Sequence, residues 1–581
     1  MRAGLALLGK TLRTYPKDAS RSIAGAVLWM AMVVAIPYVV KLIVDDGITA
    51  GRLDIVSWLV VVLVVLGALQ AIGIGTRRYF GFRFSYRAEA DLRNRMFEHM
   101  QRLAFAFHDQ TSTGQLMARA SSDLSQVRLI FAMLPITIAN IMMFLVVMVM
   151  LIVIDPVLGL TASLMVPILF LTANRYAGKI IGLSFDVQER LAHLSQVVEE
   201  AVGGIQVVKA YGQEQQEQRR LEDAAEGIYT KTLGIARWSA VFGPLFEVIP
   251  AAGTVLVLWL GGVRVVDGAI TIGEFIAFTQ YLAVLVLPIR ITGWFFANLP
   301  RGTAAGTRVE ELLSTDVAID NPDEPQGLPE GPGEVRFEGV CFAYPGDEPV
   351  LNGVDLIVPG GSSVALVGAT GSGKTTLAHL IPRFHDVGRG AITLDGVDIR
   401  SLTLDELRIE VAVVFQETFL FSATVGANIG VGDPDANEDQ IRAAARLAQA
   451  HGFICELPDA YETVVGERGH SLSGGQRQRV ALARAVVRDP RVLILDDATS
   501  SVDAVVEAEI QAALRHVMEG RTTIIVAHRT STLALADLVV FLEGGAIAAI
   551  GTHEELMATV PRYGEVLAST NPEAGIAEVA P

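Results

Sequence analysis

The chain has 581 residues, 51% of them hydrophobic and 19% charged, with a formal charge of −17. That length exceeds one ordinary domain, and so apolar a balance in so long a chain points to a membrane protein. The acidic charge argues against a nucleic-acid binder, which needs a basic patch, and two distant cysteines, Cys341 and Cys455, read as buried thiols rather than a disulfide framework.

The basic start (Arg2, Lys10, Arg13, Lys17, Arg21) leads into an apolar run too long for a cleavable signal. A helix needs about 20 mostly apolar residues to cross the hydrocarbon core. Six stretches meet that need: Ser22–Val44, Ser57–Ile74, Ile130–Ile154, Val157–Ala173, Trp238–Val263 and Ile272–Pro288. Lys41 near the end of the first can snorkel. Asp155-Pro156 splits the third from the fourth as a tight hairpin turn. The loop Asp45–Asp54 carries three aspartates against Arg52, so the positive-inside rule puts both chain ends in the cytoplasm.

Two connections on that side, Thr76–Leu129 and Asn174–Arg237, are long, charged and helical in pattern. They read as spans extended into the cytoplasm, with Arg77, Arg78, Arg83, Arg87, Arg93 and Arg95 where the second helix leaves the bilayer. Glu247 sits in the fifth span between Pro244 and Pro250. A carboxylate there is either a functional group or an interfacial one. Arg290 reads as interfacial, and Trp294, Phe295 and Phe296 read as an interfacial aromatic belt sooner than as a contact for a lipophilic ligand.

After Pro300 the composition changes. Asn321–Glu334, rich in Pro, Gly and acids, is a linker, and a soluble α/β pattern follows. The organisation is 1–320 membrane domain, 321–334 linker, 335–570 nucleotide domain and 571–581 tail. "SVALVGATGSGKTT" (Ser363–Thr376) is an apolar strand running into the phosphate-binding P-loop in its strand–loop–helix setting. Gly368, Ala369, Thr370, Gly371, Ser372 and Gly373 turn backbone N–H groups toward phosphates, and the helix N-terminus adds partial positive charge. Lys374 reaches the β/γ-phosphates of ATP, the Thr375 hydroxyl takes Mg²⁺, and Thr376 completes the cradle.

From Leu472, "LSGGQRQRVALARAVVRDP" places Ser473, Gly474, Gly475 and Gln476 at a helix start, another terminus suited to phosphate. "RVLILDDATSSVD" (Arg491–Asp503) is a buried parallel strand ending in two aspartates. Beside the P-loop strand, Asp496 is placed for the Mg²⁺ shell.

Here the chain resembles the ATP-binding cassette family of transporters. "LSGGQ" is similar to its signature, "VVFQE" (Val413–Glu417) to its Q-loop, and "VGERG" (Val465–Gly469) to its X-loop. "VAHR" (Val526–Arg529) is similar to its switch, and "SSVD" ending in Asp503 to its D-loop. The resemblance implies Gln416 as metal and water ligand, His528 as catalytic histidine, and Tyr344 stacked on adenine. In the membrane half, "FHDQTSTGQLMARASSD" (Phe107–Asp123) and "GGIQVVKAYGQE" (Gly203–Glu214) look like coupling loops of exporter-type members.

It implies an all-α six-helix transmembrane domain plus an α/β P-loop nucleotide-binding domain with a helical subdomain. Such a half-transporter sits in a bacterial inner membrane with both termini and the cassette cytoplasmic. It pairs with a second half, because one cassette's signature closes on another's P-loop. One residue departs from the family. The position after the metal-binding aspartate is usually glutamate, the general base; here it is Asp497. One methylene fewer withdraws the carboxylate by more than about an ångström, enough to cost on the order of 10²-fold in rate. The expected outcome is an ATP-driven exporter subunit of a heterodimer, whose own site holds ATP and hydrolyses it slowly. A soluble regulatory ATPase fits six spans poorly. An importer or channel on the same fold stays open, as does the substrate.

Overall fold

The structure is a computed structural model; it describes residues 2–346, 348–466, 469, 471–497, 504–527 and 529–570. His528, Asp503, Glu467, Arg468 and the tail from residue 571 lie outside the described residues, as does the side chain of Arg290. Contacts divide the chain into two units: 1–98 with 116–314, and 99–115 with 315–581. The short segment 99–115, which belongs by sequence to the membrane half, packs with the cassette.

The first unit is helical. Among the described residues, six helices are long and apolar enough to cross a membrane: Pro16–Thr49, Leu53–Arg102, Thr113–Ile154, Pro156–Gly203, Glu214–Val266 and Ile272–Leu313. Each contains one of the six expected spans, and the helices run on into the charged connections Thr76–Leu129 and Asn174–Arg237, as their helical pattern predicts. The 50 residues of Leu53–Arg102 make a rod of roughly 75 Å. Pro244 and Pro250 lie inside one unbroken helix, Glu214–Val266, as membrane helices tolerate. Glu247 is exposed on it.

The extensions are held by ion pairs. Buried Asp18 faces Arg83 and Arg87, buried Glu89 faces Arg93 and Arg128, and Asp123 faces Arg308. At the other end of the spans, Asp155 accepts from the N–H of Leu158 and pairs with Arg264. Lys41, expected to snorkel, instead pairs with Glu274 at 2.9 Å, and Asp45 accepts from Gly273 N at 2.9 Å and Thr271 Oγ1 at 2.6 Å. The first membrane helix thereby ties down the start of the sixth.

Among the described residues the second unit contains ten strands: β1 (Val335–Phe342), β2 (Leu351–Val358), β3 (Ser363–Val367), β4 (Arg389–Leu394), β5 (Val397–Asp398), β6 (Val411–Val414), β7 (Val492–Asp496), β8 (Thr522–Val526), β9 (Leu538–Glu543) and β10 (Ala546–Gly551). An antiparallel sheet has the order β2-β1-β4-β5, and a six-stranded sheet the order β10-β9-β3-β8-β7-β6, parallel except for β10. β3, β7 and β8 are buried at every position, which is why their sequences are apolar without alternation. Val364 and Leu366 enter the core under the antiparallel sheet, whereas Ala365 and Val367 enter the core of the helical side.

Two expectations need correction. β7 is not beside the P-loop strand, because β8 lies between it and β3. The helix Lys374–Leu380 packs on both β8 and β7 and carries the P-loop's residues across that gap. Nor is either thiol fully buried: Cys341 is half-buried and Cys455 exposed, both free.

Candidate functional site: the phosphate loop and its two aspartates

The loop Gly368–Gly373 turns on glycines that no other residue replaces easily. Gly373 has φ +95°, and a Cβ on Gly368 would stand 2.3 Å from the carbonyl of Leu542. The turn releases the chain into the helix Lys374–Leu380 with Gly373 as its N-cap. Lys374 is 5% exposed, and its ammonium donates to the carbonyls of Gly368 at 2.8 Å and Ala369 at 3.0 Å. Burial pushes its pKa below the usual lysine value, while the carboxylates of Asp496 and Asp497 oppose that shift. The Ser372 hydroxyl is buried without a hydrogen-bond partner. A buried orphan beside a caged ammonium and a helix N-terminus suits an anion such as a triphosphate.

Thr375 Oγ1 donates to Asp496 Oδ1 at 3.3 Å. A hydroxyl and a carboxylate this close form a hard-oxygen pair, the donor type Mg²⁺ takes together with phosphate oxygens and water. The residues therefore fit the ion. Asp497 follows at the end of β7. Its N–H bonds to Val526 O at 3.2 Å, its φ is +45°, and its Oδ2 accepts from Gln416 Nε2 at 3.1 Å. Gln416, Asp496, Asp497, Lys374 and Thr375, dispersed in sequence, are brought to one place.

Tyr344 donates to or accepts from Thr376 Oγ1 at 3.1 Å, and its ring meets Phe342 and His385 edge-on. Ser473 caps the helix Gly474–Val486: its Oγ accepts from Gln476 N, while Gln476 Oε1 accepts from Ser473 N at 2.9 Å. The signature serine and glutamine thus satisfy each other within this chain.

Sequence reasoning missed two features. His379, on the helix after the P-loop, lies 3.4 Å from Asp496 Oδ2; its only sequence signal was its place on that helix. In the helical unit, a cavity of about 740 Å³ is lined by Arg77, Arg78, Phe82, Met133, Ile136 and Trp294 among others, none of them acidic. The sequence places Arg77 and Arg78 only where the second helix leaves the bilayer; for Trp294 it offers a lipophilic contact beside the belt, and the cavity is where such a contact can be made.

Two family models match the chain: ABC transporter transmembrane region over residues 22–289, and ABC transporter over residues 351–500. A multidrug efflux ATP-binding/permease protein of Mycobacterium tuberculosis is 39% identical over 97% of this chain but only 47% of its own length. The chain thus spans about half of that relative. An ATP-dependent lipid A-core flippase of Thiobacillus denitrificans is 36% identical over 94% of each chain. Among solved structures, a bacterial Atm1-family ABC exporter with ATP bound superposes with a TM-score of 0.79 at 27% identity, covering 98% of this chain and 99% of that one.

Proposed function

The chain belongs to the ABC transporter family, with the exporter arrangement of six helices followed by one cassette, and we propose that it is one half of an ATP-driven exporter whose two ATP sites are unequal. The observation that carries the asymmetry is Asp497. It stands where the family's general base is expected, held by Gln416, one methylene short, while the chain's own signature is intact. A half with a weakened base and a whole signature suits a partner with the reverse: a glutamate base and an altered signature. That the mycobacterial relative is about twice as long as the part matched is in keeping with two non-identical halves.

In this reading Lys374 and the loop 368–376 hold the phosphates, Tyr344 stacks on adenine, and Thr375, Asp496 and Gln416 hold Mg²⁺, which screens the charge of the phosphates. His528 and Asp503 complete the site. Gln416 keeps Asp497 aimed at the attacking water, and the Asp497 carboxylate accepts that water's proton. ATP draws two cassettes together across each other's signatures, and hydrolysis lets them part, so that the membrane cavity alternates between the two sides. The cavity's apolar wall and paired guanidiniums suit an amphipathic substrate with an anionic head. A lipid flippase and a multidrug efflux protein among the relatives support the lipophilic part. The cassette and both termini face the cytoplasm of a bacterial cell membrane.

The test is ATPase and vesicle transport by the reconstituted pair. Lys374→Ala should abolish ATP-dependent movement, and unchanged transport overturns the site. Asp497→Asn should leave most ATPase in place, whereas changing the partner's glutamate should remove it. If the chain purified alone forms an active homodimer that Asp497→Asn silences, the unequal-site model is wrong.

A further inference from the structure

The nucleotide chemistry leaves His379 without a task. Its side chain is 21% exposed, but Nε2 is buried and makes no hydrogen bond of good geometry; what it faces is Asp496 Oδ2, at 3.4 Å. The other oxygen of that carboxylate is the one turned to Thr375. His379 therefore stands behind the aspartate, on the side away from the ion that Asp496 is read to hold. Rings fix its place. Phe384 and Phe415 meet it edge-on with centroids at 5.7 and 5.9 Å, and they lie nearly parallel to each other at 6.0 Å.

Phe384 is in turn stacked on Phe105, centroids 4.3 Å apart and planes 27° from parallel. Phe105 belongs to the segment 99–115, which leaves the second membrane helix yet packs with the cassette. His99 Nε2 at 3.0 Å from Thr315 O, and Arg102 paired with Asp320 at 2.9 Å, anchor the segment there. An unbroken line of ring contacts runs from this segment through Phe384 and His379 to Asp496. A branch passes through Phe415 to its chain neighbour Gln416, which holds Asp497.

We propose that His379 is a positioning residue for Asp496, and that the Phe105–Phe384–His379 stack makes the aim of that carboxylate depend on the segment between the second and third membrane helices. The proposal rests on Asp496 as a metal ligand. A group held from behind fixes which way a ligating carboxylate points, and losing such a partner typically costs about 10–100-fold in metal affinity. Phe105 is 42% exposed, so the link rests on the ring contacts themselves: removing the Phe105 ring takes away the stack on one side of Phe384 and frees Phe384 to shift against the imidazole.

Mn²⁺, which takes the same oxygen ligands, allows a test by electron paramagnetic resonance on the purified full chain with ATP, independent of turnover. Fluorescent-nucleotide binding without metal is the control for folding. His379→Leu should weaken Mn²⁺ binding about tenfold and leave metal-free nucleotide binding unchanged, and His379→Gln, which keeps a donor, should recover most of the loss. Phe105→Ala touches neither aspartate nor nucleotide; it should shift Mn²⁺ binding in the same direction and add little to His379→Leu in the double variant. Unchanged Mn²⁺ affinity in His379→Leu overturns the positioning role, and a shift there without one in Phe105→Ala overturns the link to the segment. Asp496→Asn separates the two layers. If it too keeps Mn²⁺, the metal assignment fails. If it alone loses Mn²⁺, only the present inference does.

Discussion

Asp497 shows how one position combines backbone and side-chain chemistry. Its φ of +45° is a conformation that Asp tolerates better than most residues, because a short polar side chain can bond locally. A tertiary bond from Gln416 Nε2 then holds the carboxylate in place. Lengthening the side chain without moving the backbone would advance the carboxylate toward the attacking water by about one methylene. Asp497→Glu should therefore raise ATPase at this chain's site by roughly 10-fold or more, read in a pair whose other site is silenced. No gain would mean that the strained turn, not the missing methylene, sets the rate. The P-loop was legible in the sequence because its residues are contiguous and follow a buried strand into a helix. His379 was not legible, because its partner Asp496 comes from a distant strand and only packing brings the two together.

At the level of elements, the sequence shows where helices cross the membrane but not where they stop. Hydropathy ends at Ile74, yet the helix runs on to Arg102, because Arg83, Arg87 and Arg93 find carboxylates on neighbouring turns and helices. Strand neighbours are likewise invisible locally: a buried apolar run looks the same on either side of β8. Close approach of helices leaves a clearer mark. A Cβ on Gly73 would stand 2.7 Å from the backbone N of Trp29 and 3.0 Å from the carbonyl of Gly25, so small residues on both helices permit the contact. Gly73→Leu should force them apart at a cost of about 1–3 kcal/mol, seen as a lower thermal midpoint in detergent. Gly75→Leu, two residues on with open space around it, should not. Equal effects of the two would mean that side-chain size at this crossing is immaterial.

For the whole molecule, the charge pattern predicts one topology for the six helices, with Asp54, in the first turn of the second, outside and Gly114, at the start of the third, inside. Asp54→Cys in intact cells should react with an impermeant thiol reagent and Gly114→Cys should not; the reverse labelling inverts the protein. Arg77 and Arg78 would then border a cavity reached from the cytoplasmic side, where an anionic head group first meets the transporter. The bond between Lys41 and Glu274 adds a matter of timing. These residues lie 233 positions apart, which at roughly 5–20 residues per second is a wait of roughly 12–47 seconds between the synthesis of one partner and the other. Throughout it the first helix holds a lysine with no Glu274, and Asp45 has no helix start to cap. A chain interrupted before residue 271 therefore leaves both Lys41 and Asp45 without the groups that hold them in the finished molecule.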